Sequence, residues 1–187
     1  RGRWPIAVGS ATAHRFLPAL GQAGEAAGWP TKWLKAHPND VPVRIYLGQQ
    51  SLAKADYKAA VSYYGAAAES EPENILVLND LAWSLSEVKD AKAVQYAERA
   101  YRIAPNNPAV VNTYGWVLVQ RGDMAKGIPL LRKAVDLDPE NASRRLYLAK
   151  GLIASGDKPA ARKELEIVIK ADSASARTEA EQLLKSP

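Results

Sequence analysis

From Val41 to Ala171 the apolar residues recur at helical spacing, in segments a little over ten residues long that come in pairs separated by short polar breaks. The first segment of each pair carries a large-then-small couple: Leu47-Gly48, Leu81-Ala82, Tyr114-Gly115 and Leu148-Ala149, in steps of 34, 33 and 34 residues. The second carries Ala60, Ala93, Gly127 and Ala161 and, seven residues on, Ala67, Ala100, Ala134 and Val168. Small residues at these places let two helices approach to the short end of ~8–10 Å between axes. Every pair follows a four-residue phrase with proline second and Asp or Asn last: His37–Asp40, Glu71–Asn74, Ala104–Asn107 and Asp138–Asn141. Proline just past one helix and a side-chain acceptor just before the next is helix–turn–helix punctuation. Within the pairs, Asp56, Asp90, Asp123 and Asp157 stand where each second helix needs a cap. A fixed period in the thirties predicts an all-α helix–turn–helix solenoid, and every other reading follows from that.

The pattern predicts helices over 41–54, 57–70, 75–87, 91–103, 108–121, 124–137, 142–155, 158–171 and 174–185. They group into repeats at 41–74, 75–107, 108–141 and 142–173, with a terminal helix in 174–187. Ala176, Ala180, Leu183 and Leu184 give that helix an apolar stripe, suited to covering the open end of an array. Residues 1–40 read as a degenerate first unit, helical but poorly patterned over 7–20, then broken at Gly28-Trp29-Pro30. A short helix over 30–36 would bury Trp33 and Leu34. The single short step is locatable. Asp56 to Asp90 is still 34 residues but Ala60 to Ala93 is 33, so one residue is missing between Asp90 and Ala93. Gly122 and Gly156 suit left-handed helix ends, whereas Ala55 and Lys89 stand at the equivalent places and predict corners that are weaker or differently shaped.

Composition narrows the function. Without cysteine there is no disulfide, thiolate nucleophile or Cys-based metal site. No run approaches the ~18 apolar residues of a membrane helix. The net charge of +5 comes from Lys and Arg interleaved with Asp and Glu, the signature of solvated helix faces and not of a nucleic-acid footprint. The two histidines, His14 and His37, lack ligand partners at metal spacing. Glu71 and Glu73 flank Pro72 in a solvated turn, where nothing lifts a pKa for acid catalysis. The residues therefore predict no catalytic, metal or cofactor site. The opening Arg1-Gly2-Arg3-Trp4-Pro5 reads as the interior of a longer chain.

Leu47-Gly48…Ala60…Tyr64…Ala67…Pro72 and Tyr114-Gly115…Gly127…Leu131…Ala134…Pro139 resemble the tetratricopeptide repeat, W-x₂-L-G-x₂-Y…A-x₃-F…P. The place of its tryptophan is taken by Arg44, Leu78, Val111 and Arg145. The two arginines are expected to lay their stems on the neighbouring helix with their heads in water. Narrower phrases stand in order: Trp33-Leu34-Lys35-Ala36-His37-Pro38, Asn79-Asp80-Leu81-Ala82-Trp83, Ala97-Glu98-Arg99-Ala100-Tyr101 and Thr113-Tyr114-Gly115-Trp116-Val117-Leu118-Val119. Ser155-Gly156-Asp157-Lys158 with Ala161-Arg162-Lys163-Glu164-Leu165 completes them. Together they resemble the C-terminal region of the bacterial tetratricopeptide lipoproteins associated with the exosortase (PEP-CTERM) system. That resemblance implies an exported protein of the Gram-negative periplasm or envelope, lipid-anchored upstream of these residues, in sorting or exopolysaccharide production.

The binding surface is expected along the first helices. Trp83 and Trp116 each lie two residues after the large residue of their couple, about 200° around the helix, and so point into the concave side. The same position in the flanking repeats holds Gln49 and Lys150. One turn earlier stand Asn79 and Asn112, and one turn later Glu87 and Gln120. These eight residues form the candidate site for a partner polypeptide: amides to hold an extended backbone, indoles to supply contact area. Three alternatives stay open. The tryptophans pack sideways and set the superhelical pitch; the ladder binds carbohydrate; or the chain is a docking segment of a larger enzyme.

Overall fold

The computed structural model describes residues 29–171 and 173–185. Its regular elements are ten α-helices: α1 (Trp29–Ala36), α2 (Val41–Ala53), α3 (Tyr57–Ser70), α4 (Ile75–Glu87), α5 (Ala93–Ile103), α6 (Pro108–Gln120), α7 (Met124–Leu137), α8 (Ala142–Ala154), α9 (Lys158–Lys170) and α10 (Ala174–Lys185). The helix expected over 7–20 lies outside the described residues. Helices α2/α3, α4/α5, α6/α7 and α8/α9 form four hairpins stacked side by side, with α4, α6, α8 and α10 touching in succession. The terminal helix packs on both α8 and α9, where the first helix of a further unit would stand, and buries Ala176 and Ala180.

The caps explain where helices begin. Asp40, Asn74, Asn107 and Asn141 accept from the backbone N–H of Val43, Val77, Val110 and Arg144, opening the first helix of each hairpin. Asp56, Asp123 and Asp157 do the same for α3, α7 and α9. Asp90 does not cap α5. Its carboxylate bonds the Lys92 N–H at 2.8 Å, and the helix starts at Ala93 with Lys92 at the N-cap and no side-chain bond there. The Ala93 N–H, three residues on, goes to the Asp90 backbone carbonyl at 3.2 Å and not to its side chain, and the helix lacks the opening turn that its counterparts have.

The corners inside the hairpins correct a second expectation. Ala55 and Lys89 adopt φ of 57° and 60°, in the left-handed region with Gly122 at 86° and Gly156 at 85°. In all four, the N–H of the following aspartate bonds the carbonyl five residues back: Ser51, Leu85, Leu118 and Leu152, each at 2.9 Å. The corner bonds are thus the same with and without glycine, because the packed hairpin imposes the turn. The cost is strain of about 1 kcal/mol at each Cβ-bearing residue.

Between the helices of a hairpin the small residues are needed. A Cβ on Gly48 would stand 2.6 Å from the ring of Tyr64, which is fully buried. One on Gly127 would stand 2.7 Å from the carbonyl oxygen of Gly115, so α6 and α7 meet backbone to backbone. Ala100 and Ala134 are buried to about the last percent, at 1% and 0% exposed. The arginines at the consensus tryptophan place keep their heads at the surface, as expected, and each also holds a specific partner there. The Arg44 guanidinium donates to the Pro38 carbonyl. Arg145 donates to the Pro139 carbonyl at 3.2 Å and pairs with Glu164 of α9 at 3.0 Å. Each ties its helix to the proline that closes the unit before it. Lys133 does the same from a second helix, reaching the Pro105 carbonyl at 2.7 Å.

Candidate functional site

Because α4, α6 and α8 lie side by side, residues at one repeat position form a row across the array. Trp83 and Trp116 occupy that row, both half-buried. Tyr147 of α8 meets both. Its ring lies edge-on to Trp83 with centroids 5.5 Å apart and tilted against Trp116 at 5.2 Å. Lys150, one turn along α8, holds its ammonium 4.9 Å from the Tyr147 ring centroid and 5.9 Å from that of Trp116. The same ammonium is ion-paired to Glu179 of α10.

Glu87, at the end of α4, faces this cluster. Burial pushes its carboxyl above the ordinary range, while the Gln120 side chain and the Lys150 ammonium pull it back. The Tyr57 and Tyr147 hydroxyls are raised by burial and then by the charge of Glu87, and Tyr147 feels Glu179 as well. Tyr57, Glu87, Tyr147, Lys150 and Glu179 thus share one electrostatic neighbourhood drawn from α3, α4, α8 and α10.

The amide rows lie deeper than the rings. Asn79 is 7% exposed and Asn112 0%. Asn79 donates to the carboxylate of Asp80 at 3.1 Å, leaving its carbonyl oxygen without a partner. Both side-chain polar atoms of Asn112, and the indole N–H of Trp116 one turn later, are buried without a hydrogen bond. Unmade bonds on a buried amide and indole cost about 1–3 kcal/mol each. Gln49 is half-buried on α2 and Gln120 is exposed at the end of α6. The structure therefore brings Trp83, Glu87, Trp116, Gln120 and Lys150 together at the surface and sets Asn79 and Asn112 beneath it. Sequence reasoning missed Tyr147 and Glu179. Tyr147 had a signal, since it stands one turn before Lys150 on the same face; Glu179 had none, because the terminal helix lies outside the period.

A second polar group sits between α3 and α4. Burial pushes the Asp80 carboxyl up to about 6, against the pull of Asn79 and the Tyr64 hydroxyl that face it. The Tyr64 hydroxyl is raised by its burial and by Asp80. Among the described residues no group of three His, Asp or Glu side chains is arranged to hold a metal ion.

Two sequence models of one family, described as tetratricopeptide repeat, match residues 47–108 and 118–184. The small glutamine-rich tetratricopeptide repeat-containing protein 2 of Mycosarcoma maydis is 28% identical over 112 residues, covering 59% of this chain and 31% of that protein. The repeat-containing protein PA4667 of Pseudomonas aeruginosa is 28% identical over 73 residues, covering 38% of this chain and 12% of that one. The chain thus spans a third or less of the length of these relatives. Among solved structures, the thermophilic repeat protein TTC0263 of Thermus thermophilus superposes with a TM-score of 0.71 at 18% identity, over 92% of this chain and 95% of that one. YrrB, described as having an unusual peptide-binding site, superposes at 0.65 with 17% identity, over 91% and 88%. At these identities the likeness is one of fold.

Proposed function

Because the chain is an array of tetratricopeptide repeats, we propose that it is a non-catalytic scaffold that holds a segment of a partner polypeptide against the inner face of its first helices. The observation that carries this reading is the surface cluster of Trp83, Glu87, Trp116, Gln120 and Lys150, which three neighbouring first helices bring together around Tyr147. The exposed Gln120 amide can meet a peptide backbone with both a donor and an acceptor, and the rings add contact area. The peptide-binding site named for YrrB supports the same class of ligand. The envelope setting, in protein sorting or exopolysaccharide export beside an upstream lipid anchor, rests on the phrases around Trp33, Trp83 and Trp116 that resemble the exosortase-associated family.

The carbohydrate alternative draws less support, since Trp83 and Trp116 give ring area to Tyr147 in place of offering flat faces to a sugar. The test is capture from an envelope extract with the wild type and with Trp83→Ala and Trp116→Ala. Loss of one reproducible protein partner, with helicity and melting unchanged, supports the reading. Undiminished capture by both variants overturns it.

A further inference from the structure

The inner cluster holds more negative charge than it neutralises. Two carboxylates, Glu87 and Glu179, face one ammonium, that of Lys150, and the ammonium is paired to Glu179. Glu87 is left with the Gln120 side chain and the more distant pull of Lys150, beside the hydroxyls of Tyr57 and Tyr147. The faces of Trp116 and Tyr147 already accept an ammonium at 5.9 and 4.9 Å. Indole and phenol rings attract cations through their negative faces, more strongly as water is excluded.

We propose that this surface seats a cationic side chain, lysine or arginine, of the bound segment, paired to the Glu87 carboxylate beside the Trp116 and Tyr147 rings that hold the Lys150 ammonium. The inference rests on the inner face being the binding face, and names the chemistry of what it takes. Lys150 then acts as both template and competitor: it shows what the rings hold, and its charge opposes a second cation. The whole chain works against a misleading result, because its net charge of +5 repels basic peptides non-specifically.

The experiment is calorimetric titration of the full chain with tetralysine and with tetraglutamate at low salt. The wild type, Glu87→Gln, Lys150→Gln and Glu166→Gln are compared; the last is an exposed carboxylate on α9 with the same charge change. The expected result is tetralysine binding that weakens at least fivefold in Glu87→Gln, strengthens in Lys150→Gln and is unmoved in Glu166→Gln. Circular dichroism confirms that each variant is folded. Tetralysine binding that ignores Glu87→Gln, or no tetralysine binding, overturns the proposal. Tetraglutamate binding lost in Lys150→Gln also overturns it, while leaving the inner face as a binding surface for acidic segments.

Discussion

The ammonium of Lys150 is bound by the carboxylate of Glu179, so the terminal helix is fastened to the side chain that stacks on Tyr147 and Trp116. The cap of the array and its inner face are therefore one construction. Removing 174–187 is expected to expose the apolar side of α8 and α9, promote self-association, and shift the tryptophan emission as Lys150 is released. Sizing at several concentrations with parallel fluorescence checks both; a monomer with unchanged emission refutes the link. Glu179→Gln alone is expected to cost under about 1 kcal/mol, because the pair is half in water.

The corners at Ala55 and Lys89 carry avoidable strain. Ala55→Gly and Lys89→Gly should each relieve about 1 kcal/mol in the native chain and give back part of it through a freer unfolded chain. A net rise in the denaturation midpoint is expected for each. The same change at a helix-interior alanine such as Ala60 should lower it.

The contact between Gly115 and Gly127 leaves no room for a methyl. Gly127→Ala is expected to force α6 and α7 apart and cost roughly 1–3 kcal/mol by overpacking. Ala100→Leu and Ala134→Leu should act similarly at the second-helix interface. Urea midpoints for the three variants decide this, and an unchanged midpoint would move the tight contact elsewhere.

Stability should depend on pH through Asp80. Its carboxyl is raised to about 6 in the folded chain from 3.8, so the native state holds a proton that the unfolded state has released. Folding is then strengthened as pH falls from 7 towards 4 and weakened as pH rises through 6, by on the order of 1–2 kcal/mol after allowance for solvent. Glu87 acts in the same direction. Asp80→Asn should flatten the urea midpoint across that window.

Much of the fold was legible because punctuation in a repeat is read four times. Proline, Asx cap and large–small couple agree across units, so α3, α4 and α7 run between the residues their patterns mark, and the apolar stripe of Ala176, Ala180, Leu183 and Leu184 alone marked α10. The failures are places where packing overrides a local rule. Lys92 opens α5 uncapped because a deletion shortened the turn. Ala55 and Lys89 turn left-handed because the hairpins around them leave no other path. In the candidate site, Trp83 and Trp116 could be placed on a face from helix geometry alone. Their meeting with Tyr147 depends on how tightly the array curls, which periodicity does not encode.

That curl has a mechanical meaning. Trp83 and Tyr147 belong to alternate units, yet their rings touch at 5.5 Å across the unit between them. Unit-by-unit stacking makes a flexible arc, and this contact closes it like a clasp worth about 0.5–1.5 kcal/mol. Anything that wedges between the two rings has to open the arc, and anything that opens the arc parts the rings. The distance between the ends of the array, followed by fluorescence energy transfer between labels on α2 and α10, then becomes a gauge of whether the inner face is filled.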